Sequence, residues 1–121
     1  MNRLNEIEDR ANAATEGPWE AGERRVFTLD GAPVISDDVV HYGHGMAGEG
    51  VCHEEDAEFI AHARADVPAL VAALRAVLAL HTAEHVEGRW LCGHCFGWDS
   101  EPVPYPCPTV EAIRRHLGDD L

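Results

Sequence analysis

Lysine is absent: all nine basic residues of the 121-residue chain are arginines. That excludes lysine Schiff-base chemistry and the lysine clamp of a phosphate-binding loop. Serine is nearly absent as well. Ser36 and Ser100 are the two, and neither stands in a nucleophile-elbow pattern. No run reaches the roughly 18 apolar residues of a membrane-spanning helix, and Met1 to Asp9 is too polar and acidic for a secretory leader. Positive charge is scarce: 22 acidic against 9 basic residues give a net charge of −13. Such a balance argues against nucleic-acid binding, which needs a basic stripe to neutralise phosphates. It suits a soluble protein, or one that meets a basic protein partner.

What is present is enough for one folded domain: 45% hydrophobic residues in 121 fit a globular chain with a single core. With no leader and no membrane span, a reducing cytoplasm is the expected compartment. There, spaced cysteines bind metal more often than they form disulfides.

The pattern along the chain predicts an α+β fold, a small antiparallel hairpin sheet packed with three to four helices. Leu4, Ile7, Ala11 and Ala14 repeat at helical spacing over residues 3–15. Gly17-Pro18 stops that helix, and Trp19 follows as a core anchor. Arg25-Val26-Phe27-Thr28-Leu29 and Pro33-Val34-Ile35 flank the turn signal Asp30-Gly31 and predict a hairpin, with Val39-Val40-His41 as a third strand. Pro33 confines its strand to an edge or to its first position. Residues 42–53 read as a glycine-rich loop matching no phosphate-binding motif. With its flanks it carries His41, His44, Cys52 and His53, a candidate second metal site. A helix is expected over 54–64, its first turn acidic, with Ala57, Ile60 and Ala61 buried and Phe59 at the margin. Asp66 then caps a further helix to about His85, with Pro68 in its first turn and Leu70, Leu74, Val77, Leu78 and His81 on one face. Alternating prolines at 102, 104, 106 and 108 enforce an extended segment. Thr109 caps a last helix ending at Gly118. The expected organisation is a single domain, with an α+β core over 1–87 and a zinc-binding hook and final helix over 88–118.

The chemistry is concentrated in that hook. Cys92-Gly93-His94-Cys95 is a Cys-x-x-Cys knuckle, Cys107 returns along the proline segment, and His81 and His85 lie on the preceding helix. Three thiolates and one imidazole form a closed tetrahedral zinc set. His81 is favoured as the fourth donor because it is central in the apolar stripe; His85 is the alternative. Cys52 in place of a histidine would make an all-cysteine site, and a redox Cys-x-x-Cys lacks the strand-then-helix context it needs. Zinc held by four protein donors is structural, with no vacancy for water. No His-Glu-x-x-His motif occurs. His53-Glu54-Glu55 has the His-x-Glu spacing of nucleotide deaminases, but Leu91 rather than proline precedes the Cys92 knuckle.

Two segments carry a family resemblance. Ala13-Ala14-Thr15-Glu16-Gly17-Pro18-Trp19, and Asp56-Ala57-Glu58-Phe59-Ile60-Ala61 with Asp66-Val67-Pro68-Ala69-Leu70, resemble the Ead-like early-region proteins of phages and related proteins of actinobacteria and their phages. Leu80-His81, Cys92, Cys95 and Tyr105-Pro106-Cys107-Pro108-Thr109 are similar to a tail on actinobacterial members, which favours His81 over His85. The resemblance spans roughly residues 7–80 and implies a phage or prophage accessory role without assigning a reaction. The leading expectation is therefore a non-enzymatic accessory protein with a structural zinc that binds a host protein. The alternatives are a binder of a signalling nucleotide, through Trp19, Arg24 and Arg25, and a metal-dependent hydrolase using the loop histidines.

Overall fold

The computed structural model describes residues 2–35 and 53–121. The expected third strand and the glycine-rich loop, with His41, His44 and Cys52, lie outside the described residues. Among the described residues the order is α1 (Arg3–Ala13), β1 (Trp19–Gly22), β2 (Arg25–Thr28), α2 (Glu54–Leu80), β3 (Ala83–Val86), β4 (Arg89–Phe96), β5 (Pro102–Pro104) and α3 (Pro108–Leu117). The strands form two antiparallel sheets, β1-β2 and β3-β4-β5. The α+β class expected from the sequence is the one observed. No described helix is long and apolar enough to cross a membrane.

The chain divides into two compact units, Asp9–Ala69 and Met1–Glu8 with Leu70–Leu121. In the Asp9–Ala69 unit, β1 and β2 form a hairpin pairing Trp19 with Thr28 and Gly22 with Arg25. Its two turn residues, Glu23 and Arg24, have φ of 51° and 61°. That left-handed pair matches the right-handed strand twist. Val26, Ala57 and Ala61 are the buried centre, with Trp19, Ala21, Val34, Ile35 and Ile60 packed around them. The hairpin expected around Asp30-Gly31 exists only as a stub. Gly31 takes a φ of 88°, Pro33 makes one isolated bridge to Phe27, and Val34 donates to the Val26 carbonyl at 2.8 Å. Pro33 has no N–H with which to extend a ladder, so the principal partner of β2 is β1.

Helix α2 corrects two expectations. It runs unbroken from Glu54 to Leu80 with Pro68 inside it, where two helices meeting at Asp66 were expected. An interior proline costs about 3 kcal/mol relative to alanine. Seven alanines at 57, 61, 63, 65, 69, 72 and 73 supply the propensity that carries the helix through. It also ends at Leu80, not near His85, because Glu87 (φ 49°) and Gly88 (φ 80°) make a second tight turn that folds Ala83–Val86 against Arg89–Cys92. Of the expected stripe, Leu74, Leu78 and His81 are half-buried or buried, whereas Leu70 is 64% exposed and Val71 beside it is buried in its place.

In the Met1–Glu8 and Leu70–Leu121 unit, Leu4 is buried and Arg75 bonds Asn5 Oδ1 at 2.5 Å and Glu8 Oε2 at 2.7 Å. The segment expected as a loop over 88–107 is mostly sheet. β4 pairs on one side with β3 and on the other with β5, opposing Leu91 to Pro104 and Phe96 to Pro102.

Candidate metal centre

Four side chains from three local contexts meet at one point. His81 is the first residue after α2, its N–H still bonded to the Leu78 carbonyl at 3.1 Å. Cys92 and Cys95 lie on β4, and Cys107 is the N-cap residue of α3. Hydrogen bonding fixes each approach. Cys92 stands opposite Ala83 in the β3-β4 ladder, two residues beyond His81, and Gly93 donates to the Thr82 carbonyl at 2.9 Å. Tyr105 donates to the Trp90 carbonyl at 3.0 Å, which brings the chain back along β4 two residues before Cys107. Pro108 at the first position of α3 needs no N–H there, and Gly118, with φ of 93°, closes the helix by donating to the Arg114 carbonyl.

The geometry is close to that of a tetrahedral ion site. The sulfurs of Cys92, Cys95 and Cys107 lie 3.4, 3.3 and 3.4 Å from His81 Nδ1, and the four donor atoms are all within 4.8 Å of one another. Zinc–sulfur and zinc–nitrogen bonds of about 2.3 and 2.05 Å at tetrahedral angles give a sulfur–nitrogen edge of about 3.6 Å. Cys92, Cys107 and His81 are buried, Cys95 is half-buried, and all three cysteines are free thiols. The group can hold a metal ion without rearranging a disulfide.

Without a cation the thiols compete for charge. Burial opposes ionisation of Cys92, but the amide N–H groups of His94 and Cys95, with the His81 and Cys107 side chains, outweigh it and bring the thiol down to about 6. The Cys95 thiol is pushed up to about 11, by desolvation first and then by the neighbouring Cys107 and Cys92 sulfurs. Three thiolates within 4.8 Å of one another cannot all ionise unless an opposite charge sits among them.

The remaining candidates are placed elsewhere. His85 lies on β3 opposite Trp90, their rings 4.8 Å apart, and does not join the group. His94 is exposed and packs edge-on against His81 with ring centroids 5.1 Å apart. The Glu84 carboxylate covers Gly93, and a Cβ there would lie 2.6 Å from Glu84 Oε1. Trp19 lines a groove with Arg10 and Arg64, whereas Arg25 faces a different cavity and the Arg24 N–H is bonded to Glu54 Oε2. Sequence reasoning missed Arg10 and Arg64; the usable signal was their place beside Ala11, Ala14 and Ala63 on alanine-rich helical faces.

The chain matches no protein-family model, no curated protein and no solved structure.

Proposed function

We propose that this is a zinc protein whose ion is structural, and that the chain acts without catalysis, by binding another protein. The observation that carries the reading is the equal spacing of three sulfurs around His81 Nδ1, 3.3 to 3.4 Å each. Four protein donors complete the coordination of a tetrahedral ion and leave no position for a reacting water. The borderline-soft set of three thiolates and one imidazole favours zinc over magnesium, calcium or manganese. The resemblance of residues 13–19 and 56–70 to Ead-like phage proteins supports a phage or prophage accessory role, in the cytoplasm of the bacterial host. Large apolar side chains on the surface, with Trp98 99% and Phe96 66% exposed, support action through protein contacts.

Elemental analysis of protein purified without added metal tests the metal centre; one zinc per chain is expected. Affinity capture from an actinobacterial host lysate tests the role, with the wild-type chain expected to retain a host protein. Recovery of no partner, or turnover of a substrate by the zinc-loaded chain, overturns the non-catalytic binding role.

A further inference from the structure

The Asp9–Ala69 unit carries an apolar groove of about 290 Å³ between the end of α1 and the first half of α2. Its floor is Trp19, whose indole N–H is turned back to the Thr15 carbonyl at 3.0 Å. Phe59, Ile60 and Val67 line the α2 side, and small alanines complete it. Phe59 is 75% exposed although Ala57 and Ala61 beside it are buried. A large exposed phenyl ring over an apolar depression is the surface feature that marks a contact site.

The charge on the rim selects the occupant. The lining holds two arginines, Arg10 and Arg64, and no acid, in a chain where acids outnumber bases 22 to 9. Neither arginine has a carboxylate within ion-pair distance among the described residues. Arg64 is held in place: its Nε donates to the Thr15 carbonyl at 2.9 Å, and its Cγ lies 2.8 Å from where a Cβ on Gly17 would stand. A guanidinium fixed by its Nε, with no partner for its terminal amino groups among the described residues, is preorganised for a carboxylate.

The backbone selects the occupant's conformation. Apart from Ala14 and Trp19 the lining belongs to helices, whose N–H and C=O groups are bonded internally, so an extended peptide has little here to pair with. A segment that satisfies its own backbone and presents apolar side chains on one face is a helix, and helix-in-groove docking uses such anchors at i, i+3, i+4 and i+7. We propose that this groove is the docking site for an acidic amphipathic helix of a partner protein, its apolar side chains on Trp19 and Phe59 and its carboxylates on Arg10 and Arg64. This rests on the protein-binding role proposed above and names the surface and the partner chemistry.

The test uses the full zinc-loaded chain and fluorescein-labelled peptides of about 15 residues, stapled on the outer face because isolated helices of that length are marginal in water. Three peptides share one leucine stripe and differ in flanking residues: glutamate, glutamine or lysine. Two exposed ion pairs predict a glutamate-over-glutamine preference of roughly 2- to 30-fold in Kd at about 0.15 M salt, narrowing as salt rises, with the lysine peptide weakest. Arg10→Glu, on the exposed face of α1, should erase that preference, and Arg10→Glu with Arg64→Glu should invert it. Phe59→Ser should weaken all three peptides. Circular dichroism confirms that each variant is folded, and Arg10→Glu alone decides the charge question if the double variant is not.

Equal binding of glutamate and glutamine peptides, or indifference to Phe59→Ser, overturns the proposal. So does one-to-one binding of 1-anilinonaphthalene-8-sulfonate without peptide binding, which would mark a small-anion pocket. Self-association abolished by Phe59→Ser would assign the groove to a second copy and overturn it too. Capture of a host protein unaffected by Phe59→Ser and Arg10→Glu rejects this surface and leaves the binding role standing, whereas capture of no protein rejects the role itself.

Discussion

Removing the metal should destabilise the unit that holds it, and the size of the effect can be worked out. The apolar cluster there is small: Cys92, Cys107 and Val110 are its buried residues, and two of the three are ligands. Structural zinc binds with about 10–16 kcal/mol at neutral pH, and about 12.3 kcal/mol corresponds to a Kd near 1 nM. At free zinc 1,000-fold above Kd, linkage stabilises the folded form by about 4.1 kcal/mol. For a unit of 60–100 residues each 1 kcal/mol moves Tm by about 4–8 °C, so chelation should lower Tm by roughly 15–30 °C. Differential scanning calorimetry with and without a high-affinity chelator measures this directly. Cys107→Ser should reproduce the loss without chelator, because that sulfur is fully buried and no water can take its place. A chelator-treated chain that melts where the loaded chain does, or a Cys107→Ser variant that keeps both its zinc and its Tm, would refute the reasoning.

Other measurements probe the same centre and the surrounding fold. Cys95 is half-buried, so Cys95→Ser should keep a weakened site completed by water, detectable as zinc retained at equilibrium but lost faster to a competing chelator than from wild type. His81→Ala should remove the zinc whereas His85→Ala should leave its affinity unchanged within about twofold, since His85 stacks on Trp90 away from the sulfurs. Zinc loading at pH 7.5 should release protons. Cys95, held up to about 11 in the metal-free chain, is protonated there and must give up its proton, while Cys92, at about 6, is already ionised and gives up almost none. Affinity therefore falls as pH falls and protons compete for the sulfurs, and calorimetry in buffers of different ionisation enthalpy counts them. Val26→Ala, at a side chain with no exposed surface, should cost about 2 kcal/mol in urea unfolding.

The metal centre was largely legible in the sequence, and the element that presents half of it was not. Donor identity follows from side-chain chemistry and spacing, which a linear reading captures: Cys-x-x-Cys, a third cysteine and a histidine on the preceding apolar stripe name the set. The path between His81 and Cys92 depends on a competition that periodicity cannot judge. Ala83-Glu84-His85-Val86 continues a helical pattern as readily as it forms a strand, and histidines four apart reinforce the helical reading. The two-residue turn Glu87-Gly88 between Val86 and Arg89 was the discriminating signal. The single α2 was missed for the converse reason. Asp66 and Pro68 are a good local start signal, and alanine-rich flanks on both sides override it. Arg64 eluded the sequence because its anchor, the Thr15 carbonyl, is 49 residues away.

The hairpin changes what assembles the centre. A loop from 82 to 91 would leave the chain to find His81 by diffusion and would place the entropy of closure on the metal alone. The observed ladder shortens that search by fixing the path between His81 and Cys92. Pairing Ala83 with Cys92 and bonding Gly93 to Thr82 returns the knuckle to the end of α2, and the Trp90–Tyr105 bond carries the same sheet to Cys107. Each of these bonds is a net stabilisation of only about 1 kcal/mol, enough to bias the donors together and too little to hold several sulfurs close against their mutual repulsion. Sheet register thus selects which residues lie within ligating distance of one another, and a bound cation would make the arrangement persist. A register slip of one residue would turn Cys92 to the other face of β4, so replacing the Glu87-Gly88 turn with a longer glycine linker should weaken zinc binding even though every ligand remains in the chain; metal competition against a chromophoric chelator would reveal it, and unchanged affinity would show that the ion, rather than the ladder, sets the register.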